Sequence, residues 1–111
     1  MNELVQRLAA EKHPVIVGGS RPTLEEFKKR VEELEYVFLT FTETRGGTDL
    51  GVRLDKKACD LSQADFQQGK GNLHLEGTLT LNYVPVRCVA DIDLSTLSGS
   101  GRLIPLEEAR I

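Results

Sequence analysis

The 111-residue chain has no tryptophan, one methionine, two cysteines and four prolines, and aromatic residues make up only 5% of it. Each shortage excludes something. Two cysteines cannot staple a fold of this length, so a disulfide scaffold is out. Cys59 and Cys88 stand alone, with no CxxC and no neighbouring histidine. They read as reduced thiols, Cys88 packed as a small apolar side chain. No apolar run approaches the roughly 20 residues of a membrane-spanning helix. The excess charge is small and acidic, 14 Lys+Arg against 17 Asp+Glu, which disfavours general nucleic-acid binding. The scarce aromatics lack the basic neighbours of a base-stacking surface.

The start, Met1-Asn2-Glu3-Leu4-Val5, lacks the basic and then apolar pattern of a signal peptide, and the last residues match no lipidation signal. A cytoplasmic location and no membrane partner are the resulting expectations. With 40% apolar residues the chain is expected to fold as one domain over residues 1–111.

Acid usage shifts along the chain. Residues 1–45 hold eight Glu and no Asp; residues 46–111 hold six Asp and three Glu. Glu suits helices and Asp suits turns and caps, so helices are expected first and strands later. Leu24, Phe27, Val31 and Leu34 form one stripe of an amphipathic helix over 23–35. Thr23 and Glu26 offer it a capping box, and Glu25 with Lys29 an i,i+4 pair. An earlier helix over about 2–11 carries Leu4, Val5 and Leu8, and it ends before Pro14. Val15-Ile16-Val17 reads as a short strand, and His13 as a linker residue.

From Tyr36 the period becomes two. Val37, Leu39 and Phe41, then Leu50, Val52 and Leu54, flank Arg45-Gly46-Gly47-Thr48 as a β-hairpin. Residues 56–71 read as a loop with one helical turn near 62–66. Leu73, Leu75, Leu79, Leu81 and Tyr83 share a strand face. The parity then flips to Val84, Val86, Cys88, Ala90, Ile92 and Leu94, which demands a turn or bulge around 82–85. A last strand is expected over about 101–105. The order predicts an α+β domain: two N-terminal helices packed on one face of a curled, mainly antiparallel sheet of four to six strands.

Four places offer chemistry. The strand, Gly-rich turn and helix of 15–23, with Arg21, could hold an anion at a helix start, but lack the glycine spacing of a phosphate loop. The polar hairpin tip 42–49 makes Arg45 a candidate binding residue. His74 and Glu76 lie on one strand face and, with Asp91 or Asp93, could form an acid–base pair or a metal site; solvated sheet faces carry the same pattern. Tyr36, Phe38 and Val89 fall on the outward faces, where apolar surface marks an interface.

These features favour a non-enzymatic binding or accessory protein without a cofactor, acting through a sheet face or edge on a protein partner or on a second copy of itself, as a homodimer. A second reading is a small-molecule binder for apolar or amphipathic ligands, with a cup between the helix of 23–35 and the sheet and with Arg45, His74 or Tyr83 at its mouth. A third is an enzyme using His74 with a nearby carboxylate.

Overall fold

The computed structural model describes residues 3–18, 23–44, 47–81 and 83–106. It is an α+β fold. Helix α1 (Glu3–Ala10) leads into strand β1 (His13–Val17), and α2 (Leu24–Lys29) runs on as a π-turn (Arg30–Leu34). The strands β2 (Tyr36–Phe41), β3 (Thr48–Leu54), β4 (Ala64–Asp65), β5 (Lys70–Leu81), β6 (Val84–Asp93) and β7 (Ser98–Pro105) follow. All pairings are antiparallel, in the order β3-β2-β1-β7-β6-β5-β4, and β3 also pairs with β5. That last contact closes six strands into a barrel, with β4 as a seventh strand beside β5. The expected curled sheet of four to six strands is therefore curled to closure, with one strand more.

The period-two pattern fills the closed barrel. Side chains alternate across a strand, and one parity points inward: Val15, Val17, Val37, Leu39, Phe41, Leu50, Val52, Leu54, Leu73, Leu75, Val86, Cys88, Ala90, Ile92 and Leu103 are buried in one core, while Ile16 and Ile104 of the other parity are exposed. Val5 and Leu8 of α1 and Phe27 and Val31 from α2 and its continuation join that core, and α1 packs against β7. Closing the barrel depends on Gly77. A Cβ there would collide with the Arg53 carbonyl oxygen and crowd Val52, so the seam pairs Arg53 with Thr78 and Leu54 with Gly77 only because Gly77 has no side chain.

Several local expectations need correction. Thr23 Oγ1 does accept from the Glu26 N–H (3.2 Å), but the Glu26 carboxylate pairs with Arg30 (3.1 Å), and Lys28 with Glu32 (2.8 Å). These, rather than Glu25 with Lys29, are the i,i+4 ion pairs of this helix among the described residues. Leu34 leaves the helical stripe and is 51% exposed. The π-turn holds one residue more per turn, as the Glu35 N–H bonding back to the Arg30 carbonyl shows, and Glu35 ends it at φ 54°. His13 is no linker residue: it sits in β1 with Nε2 2.9 Å from the Arg7 carbonyl, tying α1 to the barrel. The expected helical turn near 62–66 is instead a set of turns around the two-residue β4. The final strand begins at Ser98, earlier than expected, because Gly99 lies against the Asp91 carbonyl, where a Cβ would not fit.

Candidate functional site

The outer wall of β5 and β6 gathers most of the titratable chemistry. Register places His74 opposite Asp91 and Thr78 opposite Arg87. The polar residues at alternate positions of both strands therefore share one face. His74 Nδ1 lies 2.8 Å from Asp91 Oδ1, and Nε2 lies 2.7 Å from Glu76 Oε2. The Arg87 Nε–H donates to Glu76 Oε1 (2.9 Å) and an Nη2–H to Asp55 Oδ2 (3.1 Å). These groups are half-buried to exposed. Of the two carboxylates the sequence offered to His74, register selects Asp91 over Asp93.

This arrangement has a definite protonation. Ionised carboxylates only accept, so a ring with a carboxylate at each nitrogen is held as imidazolium. The hydrogen bonds to Glu76 and then Asp91 raise the His74 pKa above its ordinary 6.5. Those from His74 and then Arg87 lower that of Glu76 below 4.5. A protonated, doubly anchored imidazole is a poor general base. Beneath it, Cys59 Sγ accepts from the Glu76 N–H (3.4 Å), and burial raises its pKa, the opposite of what an activated nucleophile needs. Burial pushes Cys88 up to about 12. Two cations and three anions here satisfy one another. Among the described residues no group of three or more His, Cys, Asp or Glu is placed to hold a metal ion.

The outer wall of β2 and β3 differs. Tyr36 and Phe38 meet edge to face, centroids 5.4 Å apart at 90°. The Arg30 guanidinium lies 4.7 Å above the Phe38 ring, a cation–π contact. Phe38 is opposite Gly51, and the Tyr36 ring lies across that glycine where a Cβ would strike its hydroxyl. Thr40 Oγ1 donates to Asp49 Oδ1 (2.6 Å) on the same wall. Tyr36 remains 38% exposed, near Leu34. Val89 is not part of this patch. It stands between Glu76 and Arg102 in the β5–β6–β7 register.

The remaining predicted residues do not converge. Arg45 and Arg21 lie outside the described residues. Tyr83 is not on the strand face with Leu81. It occupies the turn between β5 and β6 at φ 68° and is 97% exposed. Leu81 pairs directly with Val84, so the parity flip falls between them, where Tyr83 turns. His74 on the outer wall and Tyr83 on the hairpin tip thus do not frame a cup. A groove of about 840 Å³ lies elsewhere, between Leu24, Lys28 and Glu32 on the helical side and Ala64 to Gln67 around β4. Phe66 on its wall meets the ring of the buried Phe27, centroids 6.3 Å apart.

Sequence reasoning missed Arg87 and Asp55, which complete the ionic network, and a repeated turn. Asp60-Leu61-Ser62 and Asp93-Leu94-Ser95 are built alike. In each, Asp Oδ1 accepts from the serine N–H (2.9 and 2.8 Å) and from its hydroxyl (2.6 and 2.7 Å). Those bonds lower both aspartate pKa values. The identical tripeptides were the available signal. The chain matches no protein-family model and no curated protein sequence.

Proposed function

We propose that this is a small non-enzymatic binding protein that self-associates through the outer wall of β2 and β3 and presents that assembly to a protein partner. The exposed Tyr36, held in place over Gly51 beside Phe38 and Arg30, carries the reading. Tyrosine and arginine lose little on desolvation when stacked, and they dominate interface energetics. The ionic wall of β5 and β6 argues the same way from the other side, since its groups are already paired with one another. In this reading the two amino-terminal helices pack their apolar residues against the barrel core, Arg30 reaches over Phe38, and the exposed Tyr36 is left for the second copy.

The test is solution mass by sedimentation velocity. The protein is expected to sediment as a dimer at tens of micromolar. Tyr36→Glu and Phe38→Glu are expected to give monomers with unchanged circular dichroism. A wild-type monomer at high concentration overturns the proposal.

A second reading rests on the groove between α2 and β4, whose Leu24 and Phe66 are only partly buried. It would take a small amphipathic ligand. A thermal-shift screen that finds a stabilising ligand lost in Phe66→Asp would favour it over self-association.

A further inference from the structure

The free side of β5 is covered in order by the chain that precedes it. Lys70 and Gly71 pair with β4. His74 exchanges backbone bonds with Asp60 (3.0 and 2.9 Å), and the Glu76 carbonyl accepts from the Asp55 N–H (2.8 Å). Gly77 and Thr78 pair with Leu54 and Arg53. There the cover ends. Leu79 to Leu81 on β5, and Thr48 to Val52 on β3, have no strand on their facing sides among the described residues. Had the register continued, Gly51 would meet Thr80. Both residues instead line one open cleft of about 430 Å³, with Asp49, Leu50 and Arg53 of β3, Thr78, Leu79 and Leu81 of β5, and Tyr36 at its border with the aromatic wall.

We propose that this cleft takes an extended segment of a partner polypeptide, added as a strand against β3 over 48–52. A bare strand edge presents N–H and C=O groups that an extended backbone satisfies. Strand alternation then fixes the guest's chemistry. Its inward side chains meet Leu50, Leu79 and Leu81, which are buried or partly buried, and are therefore apolar. Its outward ones pass Arg53, which is exposed and has no ion pair among the described residues, so an acidic residue is favoured there. The occupant is a single chain rather than a second barrel, because the cleft is walled by β3 on one side and β5 on the other. This inference goes beyond self-association and does not depend on it.

The probe is a synthetic capped pentapeptide of alternating valine and glutamate, titrated into the uniformly labelled full chain and followed by amide chemical shifts. Saturable changes are expected at 48–53 and 79–81. Binding is expected to weaken about fivefold with Arg53→Glu, the scale of one exposed ion pair. It is expected to vanish when the peptide backbone is N-methylated. No saturable change, or equal binding of the N-methylated peptide, overturns the proposal. So do shifts confined to the aromatic wall or to the groove between α2 and β4. In the Phe38→Glu variant, shifts at 79–81 with protein concentration alone, as the mass doubles, would assign the cleft to a second copy and overturn the peptide. Titrating the Phe38→Glu monomer separates the two proposals: Tyr36 borders the cleft and Phe38 does not, so peptide binding is expected to persist there even though self-association is lost.

Discussion

The two outer walls of the barrel are built on the same alternation and differ in what they leave unsatisfied. On β5 and β6 every charged group of the His74 network has a partner across or along the strands. On β2 and β3 the aromatic pair is oriented by Gly51 and Arg30, yet Tyr36 keeps over a third of its surface in water. A wall whose groups are mutually paired contributes to folding and offers little to a partner. A wall that is rigid and still exposed has already met the ordering cost of binding.

Three changes test that contrast, from the largest effect to the smallest. Gly77→Val strikes the seam that both walls share, where a side chain meets the Arg53 carbonyl. It is expected to lose about 3 kcal/mol in urea unfolding, as overpacking at a backbone contact does; a loss below ~1 kcal/mol would mean that the barrel does not need this closure. His74→Gln probes the charged wall. The His74 pKa is raised on folding, so its stabilisation is full below the ordinary histidine value of 6.5 and fades as pH rises through the higher folded value. The Glu76 pKa is lowered, so its share is present above 4.5 and fades as pH falls through the folded value. The wild type is therefore expected to exceed His74→Gln most between pH 4.5 and 6.5, by no more than about 1 kcal/mol, with the gap narrowing toward alkaline pH. A gap that widens with pH contradicts the imidazolium assignment. Gly51→Ala touches the aromatic wall. It is expected to change stability by less than about 0.5 kcal/mol while displacing the Tyr36 ring and weakening the proposed dimer in sedimentation.

Much of the barrel was legible because its signals are local. The alternation of β5 and β6, the parity flip between them and the hairpin of β2 and β3 each lie within a short window. The Thr23 cap is equally local. His74 and Glu76 were placed on one face by spacing alone. Closure was not legible. It rests on Arg53 and Leu54 reaching Gly77 and Thr78, and nothing near Gly77 announces a strand that approaches from so far along the chain. Arg87 and Asp55 were invisible for the same reason, since only strand register and closure bring them to Glu76. Ser98 to Gly101 misled through composition: small residues that read as a turn open a strand, and at Gly99 the Asp91 carbonyl leaves no room for a Cβ.

The position of β1 has a further consequence. It lies between β2 and β7, pairing His13 with Gly101 and Ile16 with Ser98. During synthesis its second neighbour does not exist until nearly the whole described chain has left the ribosome. An early three-stranded ribbon must wait with one margin bare, and that interval is when cotranslational mispairing is most exposed. Contacts so distant in sequence also imply slow refolding.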